Sequence, residues 1–366
     1  MPPKAKVPPR VCLLTPRFPP DVGGVAQASY RRAAHLRQSG QLACVLKPEQ
    51  WPGTATAARR LFEASPWQLI HGYYISHTGP LAQQLAQWTD TSYVLSARGN
   101  DIDKDIWRPQ TRPAILEALE AAAALTGVSR DLTRKLSALV SHDRCYYAPN
   151  SVNVQHFVPD PTTRIDFLKQ HHIPEDRFVL GFVGEMRTKK GFSLLLNAFA
   201  RLQKDAPVFL LIAGMVREGP DRDLFRVWQQ KHPEAAAHVK SLPYVSHETL
   251  PAVYQALDLL VMPSFQEGMA NAALEAMSCG VSVVATDVGG FPDLLPDSAL
   301  IPPYAEAALY QKLSEYINDP ERRIRESQQV RDTVLKHFQH HHEQQTYDAI
   351  YARASHVRAS GLGGME

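Results

Sequence analysis

Two carboxylates, Glu267 and Glu275, sit inside the segment Pro263-Ser264-Phe265-Gln266-Glu267-Gly268-Met269-Ala270-Asn271-Ala272-Ala273-Leu274-Glu275-Ala276-Met277-Ser278-Cys279-Gly280. The segment follows an apolar run, Leu257–Met262. Its second half, Ala270–Cys279, is rich in helix formers and is stopped by Gly280. A strand–loop–helix reading puts Glu267 at the carboxyl end of a strand, the edge where open α/β sheets bind ligands. The helix start, across Gly268, Met269, Ala270 and Asn271, offers N–H groups and a partial positive charge to a phosphate. Glu275, one to two turns further on, can accept two hydroxyl hydrogen bonds, as a sugar or ribose diol would supply. The plainer alternative is a capping Glu267 and a solvated Glu275. It suits a lone glutamate better than a pair framed in this way.

Two more loops follow apolar runs. Gly184-Glu185-Met186-Arg187-Thr188-Lys189-Lys190-Gly191 comes after Phe178–Val183. An arginine and a lysine at a strand end can clamp a diphosphate and stabilise its departing charge, and Arg187 and Lys190 are placed to do so. The alternative is an ordinary basic turn. Pro20-Asp21-Val22-Gly23-Gly24-Val25 follows the first strand and opens a helix. Gly23 and Gly24 let backbone approach a ligand closely. The segment is neither the dinucleotide fingerprint nor a Walker loop.

Together these segments resemble the signatures of retaining glycosyltransferases of family 4 (glycosyl transferases group 1), which have the GT-B fold. The resemblance runs over nearly the whole chain. Glu267 and Glu275 match the E-x7-E signature, which implies contact with the donor sugar for the first and with the nucleotide ribose for the second. Lys190 matches the family lysine. The family arginine position holds Glu185 here, a departure, and Arg187 is the substitute on offer. Gly23-Gly24 matches the glycine loop that faces donor phosphates and acceptor. Val288-Gly289-Gly290-Phe291-Pro292-Asp293 is similar to the family's G-G-x-x-E turn, with Asp293 in the glutamate place. Many members carry a histidine near the end of the fourth strand, where this chain has Ala97-Arg98-Gly99-Asn100-Asp101. That narrows the resemblance to an R-G-x-D subset and makes Arg98, Asn100 and Asp101 candidates for acceptor or sugar contact, against a loop salt bridge between Arg98 and Asp101. Pro149-Asn150-Ser151-Val152-Asn153 through Phe157 resembles the family's P-N-G-V-D…F turn and speaks for fold rather than chemistry.

The resemblance implies transfer of a sugar from a nucleotide-diphosphate sugar to a hydroxyl acceptor (glycan, lipid-linked or small molecule), with retention, in polysaccharide or glycoconjugate biosynthesis. No cofactor and no metal are implied, and the nearest D-x-D, Asp101-Ile102-Asp103, lacks a partner context. The catalytic set is Glu267, Lys190 and Arg187, with Glu267 a sugar positioner rather than a base. The donor set is Gly23, Gly24, Gly184, Arg187, Lys190, Glu267, Gly268, Met269, Ala270, Asn271 and Glu275. Two alternatives stand beside it: a sugar-nucleotide epimerase of the same fold, and a weakly active nucleotide-sugar-binding subunit suggested by Glu185 and Arg98. A dehydrogenase lacks its glycine fingerprint.

The elements that must position these residues are legible as apolar runs alternating with amphipathic stretches. Strands are expected at Val11–Thr15, Ala43–Leu46, Gln68–His71, Tyr93–Ala97, Leu125–Val128 and Tyr146–Ala148, then Phe178–Val183, Val208–Ala213, Val239–Leu242, Leu257–Met262, Ser282–Thr286 and Ala299–Ile301. Continuous rather than alternating runs suit strands covered on both faces. The expected fold is α/β: GT-B, two Rossmann-like doubly wound parallel-sheet domains facing a cleft. Residues 1–158 form an acceptor-binding domain, onto which a C-terminal helix of about 336–358 packs back, and residues 159–335 form the donor domain. The linker is expected at Phe157–Thr163, around Pro159 and Pro161.

Composition removes other classes. The 366 residues are 44% apolar and 21% charged with a net charge of +2, so no global field favours nucleic acid. The four cysteines are scattered without metal spacing and suit reduced thiols in a cytoplasmic protein. Met1–Arg10 has no signal-peptide core, and no apolar run reaches the roughly 20 residues that span a bilayer. Arg31, Arg32 and Arg37 form a basic helix face, either solvated or a peripheral contact with the inner membrane face or an acceptor. His340-His341-His342 lies on a polar helical end and is not expected to bind metal. His71 and His77 read as structural or cleft residues, and Pro48–Ala57 as a variable acceptor loop. Gly361–Gly364 reads as a disordered or added end. Oligomeric state is left open.

Overall fold

The computed structural model describes residues 8–356 except 22, 49–52 and 217. The tail at Gly361–Gly364 and most of Met1–Arg10 therefore lie outside the described residues. The described residues form two compact units, one running to 150 and resuming at 341, the other spanning 151–340.

The first unit carries β1 (Val11–Leu14), β2 (Leu42–Leu46), β3 (Leu69–Tyr73), β4 (Ser92–Ala97), β5 (Ala124–Gly127) and β6 (Cys145–Tyr147). The second carries β7 (Phe178–Val183), β8 (Val208–Ala213), β9 (Val239–Leu242), β10 (Leu259–Met262), β11 (Val283–Thr286) and β12 (Leu300–Ile301). The sheet orders are β2-β1-β3-β4-β5-β6 and β12-β11-β10-β7-β8-β9. Every pairing is parallel. β1, β3, β4, β8, β10 and β11 are buried along their whole length, as helices on both faces require. Each apolar run of the sequence holds a strand, with ends shifted by a residue or two. One shift has a visible cause. Asp258 leaves its run because its carboxylate accepts from Val179 N (2.8 Å) and the Arg164 guanidinium (2.9 Å).

The double-proline stretch is not a bare linker. Asp160 accepts from Thr162 N (3.1 Å) and caps a helix that starts at Pro161, Pro161–Gln170. Residues before it are already fastened into the second unit. Val152 N donates to Phe338 O (2.9 Å), Ser278 Oγ to Phe157 O (2.5 Å) and Gln255 Nε2 to Val158 O (2.8 Å). In that unit the sheet packs on Leu195, Leu196 and Phe199 of the helix Phe192–Leu202 and on Leu309, Leu313 and Tyr316 of the helix Glu306–Asn318. Each fully buried leucine there contributes about 1.5–3 kcal/mol.

The last helix, His340–Ala354, places Tyr347, Ile350, Tyr351 and Ala354 in the core of the first unit, with Val11, Leu36, Leu69 and Val94. This packing corrects the reading of Arg31, Arg32 and Arg37 as one basic face. Arg32 is 2% exposed, with its guanidinium 4.0 Å from the Tyr347 ring and 3.4 Å from Glu343 Oε1. Arg31 Nε lies 3.5 Å from the other oxygen of the same carboxylate, and only Arg37 remains exposed. Cys12 and Cys44, far apart in sequence, are register partners on β1 and β2 with sulfurs 3.4 Å apart. Of the expected Pro48–Ala57 loop, residues 49–52 lie outside the described residues, and the helix Gly53–Ala64 takes up the second half. Among the described residues, no helix is long and apolar enough to cross a membrane.

Candidate functional site

In the second sheet β7 lies beside β10, the first and fourth strands of that unit. Connections leave in opposite directions from such a pair, and the diverging loops open a crevice at the strands' carboxyl ends. The loops that flank this point are 184–191, after β7, and 263–270, after β10.

The two loops are fastened to each other. Phe265 N donates to Lys189 O at 2.8 Å. Gly191, at φ 64, sits so close to the Pro263 carbonyl that any Cβ would collide with it, so glycine is obligatory for two reasons. Lys190 Nζ then forms an ion pair with Glu267 Oε2, the two side chains being 22% and 14% exposed. Arg187 pairs with Glu185 inside its own loop. Thr188 donates to Asp221 Oδ1 through both its backbone N (2.9 Å) and its hydroxyl (2.5 Å). Met186 anchors the loop from beneath, fully buried, with its N–H on Met215 O at 3.0 Å. Burial pushes the Lys189 ammonium pKa down, and Lys190 beside it adds to the effect.

The turn after β11 braces the same loop. A Cβ on Gly289 would collide with the Glu267 carbonyl, and one on Gly290 with the Gly268 carbonyl. Thr286 Oγ1 donates to Ser264 O. The helix Asn271–Ser278 follows, with Ala270 as its N-cap residue in extended conformation and no side-chain cap. Its orphan N–H groups and the dipole's positive end therefore suit an anion. Glu275 is no solvated helix residue. Its Oε2 accepts from the hydroxyl of Tyr254 at 2.7 Å. Tyr254 is fully buried on the helix Leu250–Gln255, and its hydroxyl pKa is raised by burial and then by the adjacent Glu275. Tyr254 sits in none of the motifs, and nothing in the sequence near it points to this contact.

In the first unit the corresponding reversal lies between β1 and β3. Gly23 precedes the helix Gly24–Gln38 at φ 122, a conformation that favours glycine, with open space where a Cβ would be. Val22 lies outside the described residues. The loop after β4 differs from expectation. Asp101 is fully buried and its carboxylate accepts from Arg98 N (3.0 Å), Gly99 N (2.8 Å) and Ile75 N (2.9 Å). Burial pushes its pKa up to about 6, against the pull of those N–H groups. Asp101 therefore builds the loop and does not turn a carboxylate to a sugar. Nor does it form a salt bridge with Arg98, whose guanidinium bonds Asn150 Oδ1 and lies 5.2 Å from the Tyr73 ring. Asn100 is half-buried at the start of the short helix Asn100–Asp103. Asp103 pairs with Lys135 at 2.6 Å, so Asp101-Ile102-Asp103 is not a two-carboxylate metal clamp.

Elsewhere, His71 is buried between Tyr351 Oη (2.6 Å) and Ser96 Oγ (2.7 Å), a structural histidine. His340 Nδ1 meets Ser151 Oγ at 2.9 Å, and the His341 and His342 rings lie 3.9 Å apart. Among the described residues no cluster of three or more His, Cys, Asp or Glu is arranged to hold a metal ion.

Two doubly wound parallel sheets, with charged loops gathered at the reversal of the second, define an α/β protein of the two-domain Rossmann-like class. Residues 163–333, nearly the whole second unit, match the family model of glycosyl transferases group 1. Over 263 residues the chain is 29% identical to the 2-deoxystreptamine N-acetyl-D-glucosaminyltransferase of Streptomyces fradiae, covering 70% of this chain and 61% of that protein. Its fold resembles the sucrose-phosphate synthase of Thermosynechococcus elongatus, with a TM-score of 0.80 and 19% identity over 94% of this chain and 99% of that one. It also resembles the HepE protein of Anabaena in complex with UDP, with a TM-score of 0.79 and 17% identity over 94% and 100% of the two chains. Family match, relatives and fold together support a glycosyltransferase of the GT-B type.

Proposed function

We propose that this protein transfers a sugar from a nucleoside-diphosphate sugar to a hydroxyl acceptor, with retention of configuration and without a metal. The second unit takes the donor, and Gly23 and Gly24 of the first unit offer close backbone approach to a ligand. The observation that carries the reading is the Lys190–Glu267 pair, made by loops 77 positions apart in sequence at the one reversal point of the second sheet. The Lys190 ammonium lies there, the Arg187 guanidinium belongs to the same loop, and an uncapped helix start follows the loop of Glu267, a set that suits a departing diphosphate. The relation to HepE, solved with UDP and with UDP-glucose, supports a nucleotide-sugar donor.

In this reading the diphosphate takes Lys190 from Glu267 and Arg187 from Glu185. Glu267, released, holds hydroxyls of the donor sugar. Glu275, oriented by Tyr254, accepts from the ribose. As the bond from the anomeric carbon to the phosphate oxygen breaks, the charge that builds on the diphosphate is met by Lys190, Arg187 and the helix start. No protein nucleophile is assigned.

The test is an incubation of the protein with UDP-, GDP-, ADP- and TDP-sugars. Release of nucleoside diphosphate is measured, to water when no acceptor is supplied, and the anomeric coupling of the product is read by NMR. Retained configuration and a rate indifferent to chelator are expected. An inverted product, a metal-dependent rate, or an epimerised sugar from donor alone would each contradict it.

A further inference from the structure

The carboxyl edge of the second sheet carries a feature that the donor loops do not use. β12 runs through Pro302 and Pro303 into Tyr304, just before the helix Glu306–Asn318. Tyr304 has φ 63, a left-handed conformation that a bulky aromatic residue rarely adopts and that glycine adopts freely. Strain of this kind persists where the surroundings enforce it, and it clusters at ligand sites. The ring is not buried in return, for Tyr304 is 68% exposed. It lies flat on Phe265, with ring centroids 4.1 Å apart and planes 19° from parallel. Its hydroxyl has no hydrogen-bond partner among the described residues. Core packing therefore gives no reason for a tyrosine in this position.

Phe265 ties this ring to the donor loop. It stands two residues before Glu267, and its N–H is held by Lys189 O at 2.8 Å. The result is an exposed, flat aromatic face with a hydroxyl at its edge. That combination matches a pyranose ring, which offers a face of C–H groups to an aromatic ring and hydroxyls around its rim. The platform projects from β12, separated by β11 from the β7–β10 reversal where Lys190 lies.

We propose that Tyr304, seated on Phe265, is a saccharide-stacking subsite for the acceptor, which makes the acceptor a glycan or other sugar-bearing molecule. The proposal rests on the donor site assigned above. Calorimetric titration of maltotriose and of chitotriose into the intact protein tests it, with and without a saturating nucleoside diphosphate, for wild type, Tyr304→Gly and Tyr304→Phe. At least one trisaccharide should bind, Tyr304→Gly should weaken it about tenfold or more, and Tyr304→Phe should keep most of the affinity. The glycine variant should melt no lower than wild type, because relief of the backbone offsets the lost stack. Equal trisaccharide binding by wild type and glycine variant, or no binding by wild type, would overturn the proposal. So would a glycine variant that melts several degrees lower, since the ring would then be structural. The titrations without nucleotide read the platform alone, so a failure of nucleotide binding would count against the donor reading and not against Tyr304.

Discussion

The two units share strand count and all-parallel pairing, and one polar set from each shows a different placement. In the second unit one set stands in the loops at the carboxyl edge, part-buried: Lys190 with Glu267, and Arg187 with Glu185. In the first unit another set lies against the sheet and inside the core, while Asp21 and Lys47 pair at 2.9 Å in the loops after β1 and β2. His71 bridges Tyr351 and Ser96, Ser96 meets Thr126 at 2.5 Å, and Arg32 faces Glu343. An edge pair near water is cheap to exchange for a ligand anion. A pair sealed in the core is costly to break, because the orphaned partner stays buried. One set therefore suits chemistry, and the other fastens the last helix to the first sheet.

Breaking the buried set should have the largest effect. Glu343→Ala leaves the Arg32 guanidinium buried without its carboxylate and should cost about 3–5 kcal/mol in urea unfolding, with the nucleotide affinity of the folded protein unchanged. Breaking the edge set should instead cost rate. Lys190→Ala should lower the release of nucleoside diphosphate by roughly 10²–10³-fold and alter stability by less than about 1 kcal/mol. If Lys190→Ala unfolds the protein and leaves the rate alone, the comparison is inverted.

Acid sharpens the contrast. Burial, with Arg32 and Arg98 nearby, holds the His71 pKa well below its ordinary 6.5. The folded protein therefore binds this proton less tightly than the unfolded chain does. The stabilisation is present above pH 6.5 and is lost as pH falls below it. A loss approaching about 1.4 kcal/mol per pH unit should appear there and be absent in His71→Gln. The smallest effect belongs to Glu185. Glu185→Gln frees Arg187 from its loop partner and should tighten nucleoside diphosphate binding by roughly three- to tenfold, about 1 kcal/mol, as read by calorimetry.

Much of this molecule is written locally. Strands such as Val208–Ala213 are continuous apolar runs, and a run covered on both faces needs no other signal. The loops proposed for the donor carry the same kind of local signal: glycines, a lysine and two glutamates fall at fixed distances from strand ends. What stayed hidden depends on contacts remote in sequence. Arg32 reads as a surface residue of a basic face until Glu343, 311 positions away, is brought against it. Tyr254 belongs to no motif and gains meaning only when folding sets it on Glu275. Asp101 looked like a ligand because its type allows it, whereas the backbone of Arg98, Gly99 and Ile75 already takes up its carboxylate. The family arginine position is the reverse case. The sequence shows Glu185 there, and the fold gives it a partner in Arg187.

In the proposed donor site the second unit grips a nucleoside diphosphate between Lys190 and Glu275. Thermal titration of wild type and Glu275→Ala with UDP, GDP, ADP and TDP tests it most directly, since a ligand bound only by the folded state raises the melting temperature with the logarithm of its concentration. At least one diphosphate should stabilise the wild type, and Glu275→Ala should need about tenfold more of it for the same shift. If no diphosphate shifts the wild type, or if the two titrations superimpose, the account is contradicted.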